Sequence, residues 1–153
     1  MDSFDLTIIR QLMRQARSTW AELASLTGLS APAVAERVRK LEDSGSITGY
    51  AALIAPAAIG CDLAAIIAVY LDQPGERAAF LQMVQKLPAI QECHHVAGDA
   101  DYLLKVRCAN TRALEQLISE QLKSIPGLKT KTTIILSTEK ETPCLPLTGP
   151  KEE

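Results

Sequence analysis

The sequence predicts an α+β chain of two units: three short helices closed by a small wing, then a four-stranded sheet bearing two helices. Three observations carry this reading. Residues 19–50 interleave capping residues, apolar seams of helical period and a Gly-containing turn. Residues 63–138 alternate strand-like and helix-like patterns in the order β-α-β-β-α-β, the ferredoxin-like arrangement of two βαβ halves. Residues 51–62, between them, are small and apolar and are broken by Pro56 and Gly60, as a linker is.

The first helix is expected from Asp2 as N-cap and Asp5 as third residue, both suited to the positive helix end. Leu6, Ile9, Leu12, Met13 and Ala16 supply its apolar face. In the second, Thr19 and Glu22 form a capping box, and Leu23 and Leu26 supply the buried stripe. Gly28 lets the chain turn through positive φ. Ser30 caps the third helix, which tolerates Pro32 in its first turn. Val34, Val38 and Leu41 form its seam, Gly45 ends it, and Ile47-Thr48-Gly49-Tyr50 reads as the first strand of a wing.

Two short helices joined by a tight Gly turn, the second with cations on its open face, make a winged helix-turn-helix. Such a helix fits the major groove of double-stranded DNA in width. Its cations suit phosphates and base edges, and its capped end offers N–H donors to a phosphate. The candidate DNA contacts are Ser30, Ala33, Glu36, Arg37, Arg39 and Lys40, with phosphate contacts expected to outnumber base contacts. Arg37 has a local alternative, bracing Glu42 or Asp43.

In the second unit, residues 64–71 are a near-continuous apolar run, expected as a buried strand that turns at Pro74-Gly75. Residues 76–86 form a helix with Phe80, Val84 and Leu87 on one face, and Leu81 and Met83 nearby. Residues 90–96 and 102–108 are strands joined by a tight loop, 97–101. Asn110 or Thr111 caps a helix carrying Leu114, Leu117, Ile118, Leu122 and Ile125, stopped by Pro126-Gly127. Residues 128–137 are the last strand. The helices cover one sheet face, and the other keeps apolar side chains, so a homodimer through the sheets is expected. The tail, 139–153, with Pro143, Pro146, Gly149 and Pro150, is expected to be irregular.

Net charge is −2, and the first 49 residues balance six cations, Arg10, Arg14, Arg17, Arg37, Arg39 and Lys40, against as many carboxylates. A neutral reading head grips DNA weakly alone, so joined copies are expected to add their footprints. The N-terminal stretch is acidic and polar rather than basic and then apolar, and no apolar run reaches membrane-spanning length. A cytoplasmic, nucleoid-associated protein without a membrane is expected. Cys61, Cys93, Cys108 and Cys144 show no C-x-x-C spacing, which fits a reduced compartment. His94 and His95 point to opposite strand faces and cannot chelate one ion together; Cys93 and His95 share a face but are too few for a closed zinc site. No metal or cofactor is expected.

The ordered set of residues resembles the Lrp/AsnC, or feast/famine, transcriptional regulators. It runs through Asp5, Ile9 and Leu12, Ala16-Arg17, Glu22-Leu23-Ala24 and Gly28-Leu29-Ser30. It continues through Val34, Arg37-Val38, Leu41-Glu42, Gly45, Ile47, Gly49-Tyr50 and Gly60, then Gly98-Asp99-Ala100-Asp101-Tyr102-Leu103-Leu104 and Pro126-Gly127. The resemblance implies a winged helix-turn-helix domain at 1–50, a linker at 51–62 and an amino-acid-sensing βαββαβ (RAM) domain at 63–138. It implies dimers that assemble further, often to octamers, and a small effector, usually an amino acid, bound between dimers. The family's effector loop corresponds to Gly98, Asp99, Ala100, Asp101 and Tyr102, with Thr132 and Thr133 of the last strand added as candidates. A Gly-containing turn can aim N–H groups at the effector carboxylate, and Asp99 or Asp101 can hold its ammonium. Ala100 stands where many relatives carry a larger, often aromatic residue, which widens the loop or removes a contact.

Two other readings remain open to the sequence. Sirohaem decarboxylases resemble the same architecture, and His94 and His95 would be the candidates for their chemistry. A ligand-sensing module with a vestigial helix-turn-helix is the other. Asp99 and Asp101 also suit plain turn roles, and no nucleophile or base flanks them for catalysis.

Overall fold

The computed structural model describes residues 1–73 and 75–147. The turn expected at Pro74, and Gly149 and Pro150 of the tail, lie outside the described residues. The chain separates into two compact units. One is Met1–Leu53 together with the segment that starts at Lys140, and the other is Ile54–Glu139.

In the first unit, α1 (Ser3–Arg14) opens on a reciprocal cap. The Asp5 N–H donates to the Asp2 carboxylate and the Asp2 N–H to that of Asp5, each at 2.9 Å. Thr19 and Glu22 repeat the device at the start of α2 (Trp20–Thr27). Gly28, at φ 72°, ends α2 in the left-handed conformation that costs glycine nothing. Ser30 caps α3 (Ala31–Asp43), accepting from the Ala33 N–H. Each such cap typically contributes ~1 kcal/mol.

Ile8, Leu23, Val34, Val38 and Leu41 form the core of this unit, with Ile9, Leu12, Ala24, Leu29 and Ile47 packed around it. Full burial stabilises by roughly 1.5–3 kcal/mol per large aliphatic side chain, so these few residues hold the three helices. Three positions differ from expectation, the first being Ala16, which lies exposed beyond the end of α1. Ile8 rather than its neighbours is fully buried in α1, and Leu26 is 54% exposed. Adjacent apolar residues such as Ile8 and Ile9 satisfy helical periodicity almost equally, and packing chooses between them. In α2 the inward arc runs through Leu23, Ala24 and Thr27, which leaves Leu26 at its solvent edge.

The expected wing strand is also corrected: residues 47–50 form no strand. The segment is tied back to α3 instead. The Ile47 N–H donates to the Leu41 carbonyl at 2.9 Å, and the Tyr50 hydroxyl donates to Glu42 Oε1 at 2.9 Å. The returning tail is irregular over its described part. It touches α1, where the Cys144 thiol donates to the Met13 carbonyl at 3.3 Å. That carbonyl lies in the last turn of α1, where helical partners run out.

The second unit begins with a 3₁₀ turn, Pro56–Ile59, inside the segment expected as linker. Its strands are β1 (Leu63–Leu71), β2 (Ile90–His95), β3 (Tyr102–Cys108) and β4 (Leu128–Ile135). They pair antiparallel in the order β2-β3-β1-β4, the ferredoxin-like topology. α4 (Glu76–Val84) and α5 (Thr111–Gln116) cover one face. Asn110, not Thr111, caps α5, accepting from the Ala113 N–H at 3.0 Å. α5 continues as a π turn, Leu117–Gln121, and a 3₁₀ turn, Leu122–Ser124, rather than as one regular helix. The wider π turn places Leu117 and Leu122, five residues apart, in the same core.

Alternation on the strands separates the two faces. Ala65, Ile67 and Val69 of β1 and Tyr102, Leu104 and Val106 of β3 pack against Phe80, Val84, Leu114 and Leu117. Their strand neighbours, Ile66, Ala68, Tyr70, Leu103, Lys131 and Thr133, belong to the opposite face, which no described helix of this unit covers.

Candidate functional site

Two surfaces carry the candidate residues, one on each unit. On the first, Ala33, Glu36, Arg39 and Lys40 follow one another at helical spacing along α3, with Ser30 at its capped end. The Glu36 carboxylate collects both cations: Arg39 donates to Oε2, and Lys40 Nζ lies 3.8 Å from Oε1. The two cationic side chains are 67% and 72% exposed. Exposed pairs of this kind contribute about 0–1 kcal/mol, so either cation can leave Glu36 for a phosphate at little cost.

Arg37 is elsewhere. Its Nη1 lies 2.8 Å from Asp2 Oδ2 and 2.7 Å from Asp5 Oδ1, and its guanidinium stands over the Phe4 ring at 5.4 Å. Its partners are therefore the two capping carboxylates of α1, not Glu42 or Asp43. The Asp5 N–H, more than Arg37, holds the Asp2 carboxyl below the usual carboxylate range. Asp5 first and Asp2 second raise the guanidinium above its ordinary value.

On the second unit, the uncovered sheet face and the β2–β3 loop enclose a cleft of about 420 Å³. Gly98, Asp99 and Ala100 of the loop line it, as does Thr133 of β4. The Tyr70 hydroxyl donates to Asp99 Oδ2 at 3.0 Å, and this bond raises the phenol above its ordinary pKa. The other three expected effector residues lie apart from the cleft lining. Asp101 accepts from the Leu71 N–H at 2.8 Å, and its own N–H donates to the Val69 carbonyl at 3.0 Å. It fastens the loop to β1. Tyr102 is buried on the helix-covered face, between the rings of Phe80 at 4.9 Å and His95 at 5.0 Å. Thr132 pairs with Ile67 and so belongs to that same face.

Val96 and Ala97, with Ile66, Ala68, Tyr70, Leu103 and Lys131 of the strands, complete the cleft, and sequence reasoning missed them as site residues. Only the strand register brings the last five together: Ala68 faces both Leu103 and Lys131, and Ile66 faces Thr133.

The model of the AsnC-type helix-turn-helix domain matches residues 1–42, and that of the Lrp/AsnC ligand binding domain matches residues 64–145. The chain belongs to the Lrp/AsnC family. It is 40% identical over 141 residues to the HTH-type transcriptional regulator LrpA of Mycobacterium tuberculosis, covering 90% of this chain and 91% of that one. A transcriptional regulator of Neisseria meningitidis, solved in complex with L-Met, superposes with a TM-score of 0.91 at 30% identity. The match covers 95% of this chain and 96% of that one. A feast or famine regulatory protein of M. tuberculosis complexed with L-methionine gives a TM-score of 0.84 at 37% identity, covering 94% and 97%. This Lrp/AsnC chain is a DNA-binding transcriptional regulator with a ligand-binding domain.

Other chemistry-bearing side chains of this Lrp/AsnC protein are engaged in ordinary surface contacts. His94 lies 3.0 Å from Glu92, whose carboxylate also takes Lys105 at 3.2 Å. His94 first and Lys105 second lower the Glu92 carboxyl below its usual range. Burial raises the Cys93 and Cys108 thiols. Among the described residues no three metal-ligating side chains gather at one point, and no helix is long and apolar enough to cross a membrane.

Proposed function

We propose that this regulator grips double-stranded DNA with α3 and is tuned by a small apolar or thioether amino acid held in the cleft of its second unit. The observation that supports this most is the chemistry of the cleft wall. A carboxylate, Asp99, stands among Ile66, Ala68, Val96, Ala97 and Leu103, and Lys131 also lines the cleft. A zwitterion with an aliphatic side chain matches that set: its ammonium pairs with Asp99, and its hydrocarbon takes the apolar wall. The two relatives solved with L-methionine support the same class. Asp99 is the residue we assign to the ligand, and Asp101, committed to the Leu71 N–H, to the loop.

On DNA, the contacts we assign are Ser30, Ala33, Glu36, Arg39 and Lys40, with the α3 N–H groups at a phosphate. The uncovered sheet face, with Ile66, Ala68 and Leu103 on it, supports a homodimer and higher assembly, up to an octamer, in the cytoplasm at the nucleoid. Assembly joins charge-balanced heads into one footprint.

Calorimetric titration of the purified chain with L-methionine, L-leucine, L-asparagine and L-glutamate tests the ligand class. Saturable binding of the first two, lost in Asp99→Asn, is the expected result. Equal binding of all four, or none by any, overturns it.

A further inference from the structure

We propose that Arg37 is a positioning residue of DNA recognition: Asp2 and Asp5 hold it so that it sets the rotation of α3 about its axis. The argument starts from what the core of the first unit can and cannot specify. Ile8, Leu23, Val34, Val38 and Leu41 bring the helices together through non-directional apolar contact. Small rotations of α3 change that contact little. They move the Arg39 and Lys40 stripe relative to a DNA groove a great deal, because the cations stand at the ends of long side chains.

Arg37 supplies the missing direction. One nitrogen, Nη1, reaches two carboxylates at 2.8 and 2.7 Å, and these are the N-cap and third residue of α1. Those carboxylates are themselves fixed by the reciprocal cap, so Arg37 is bound to a preset frame rather than to mobile side chains. The Phe4 ring, 5.4 Å below the guanidinium, closes the third side. Its side chain is 31% exposed, about half the exposure of Arg39 and Lys40. Charge-assisted hydrogen bonds of defined geometry make such a lock directional where packing is not. The proposal rests on α3 being the DNA-contacting helix, which Arg39→Ala tests separately.

The experiment uses the full chain and a DNA duplex that the wild-type protein selects from a random-sequence library, with a scrambled duplex as reference. Variants are Asp2→Asn with Asp5→Asn, Arg37→Ala, Arg37→Lys and Arg39→Ala, each melted by circular dichroism to confirm folding. Simple electrostatics says that removing two carboxylates beside a DNA-binding helix strengthens all DNA binding. The positioning role predicts the opposite for the selected duplex: affinity falls about tenfold, a loss typical of one misaligned base contact. Binding to the scrambled duplex holds or rises. Arg37→Ala lowers selected binding likewise and leaves the salt slope unchanged, and Arg37→Lys restores part of it. Arg39→Ala reduces the slope by ~0.9, the value for one lost phosphate contact. An unchanged slope in Arg39→Ala defeats the α3 reading. A slope reduced by ~0.9 in Arg37→Ala shows direct phosphate contact and overturns the positioning role. Tighter selected binding by the Asp2/Asp5 double variant overturns it too, and does so in a chain where Arg37 is intact.

Discussion

Tyr70 and Asp99 meet at the rim of the cleft, the phenol donating to the carboxylate at 3.0 Å across 29 residues of chain. The bond ties the loop after β2 to β1, an inner strand of the sheet, without occupying both carboxylate oxygens. Asp99 is thereby oriented and still able to take a cation. Tyr70→Phe is expected to leave the fold intact and to weaken L-methionine binding severalfold, because a freely rotating Asp99 loses the preset geometry. Isothermal titration beside a thermal melt checks it, and an unchanged affinity removes Tyr70 from the site.

Asp101 should behave differently from Asp99, two residues away. Its carboxylate is spent on the Leu71 N–H at 2.8 Å. Asp101→Ala is expected to destabilise the second unit by about 1 kcal/mol, the usual net worth of such a bond. Asp99→Ala should leave stability within about 0.5 kcal/mol, as surface changes do. Urea denaturation followed by far-UV circular dichroism separates the two.

Ala100 is buried and lines the cleft. Ala100→Phe is expected to fill space that an effector needs. Amino-acid binding should fall about fivefold or more, since overfilling a packed site costs typically ~1–3 kcal/mol. DNA binding without effector should persist, which gel-shift titration measures.

In the first unit, Ile8 has no exposure and Leu26 is 54% exposed. Ile8→Ala is expected to cost about 2–5 kcal/mol, and Leu26→Ala under about 0.5 kcal/mol. Trp20, the chain's one tryptophan, lies in this unit and reports its unfolding by fluorescence. Equal effects of the two substitutions would contradict the inward arc of α2.

The pH response follows from groups in the same unit. The folded Asp2 carboxyl lies below its ordinary value. Its contribution is fully present above the unfolded carboxylate pKa, ~3.9, and is lost as pH falls through the lower folded value. Tyr50 is the reverse case: desolvation, then the bond to Glu42, raise it to about 12. That contribution is intact below the unfolded phenol pKa, ~10, and disappears as pH rises through the folded value. Trp20 fluorescence in urea series should show midpoints falling at both extremes. Asp2→Asn should flatten the acid limb and Tyr50→Phe the alkaline one.

Much of this architecture was readable because caps and periods are local. Asp2 with Asp5, Thr19 with Glu22, and Ser30 announce three helix starts over a few residues each, and the structure has all three caps. The strand expected at 102–108 is β3, Tyr102–Cys108, with every second residue buried. What was not readable depends on contacts far apart in sequence. Arg37 finds its carboxylates more than thirty residues upstream, while Glu42 and Asp43 were the near candidates. Thr132 and Thr133 are adjacent, and only pairing with Ile67 and Ile66 decides which one belongs to the cleft face. Lys131 enters the site through the same register. The wing at 47–50 failed because β-like residues make a strand only where a partner strand exists.

The chain leaves the first unit after Leu53 and comes back to it at Lys140. The described part of the returning segment adds no residue to the core around Ile8, and its Cys144 thiol rests on the end of α1. A stop before Lys140 leaves that core whole, so the returning segment is an outer strap on α1 rather than a pillar of the head.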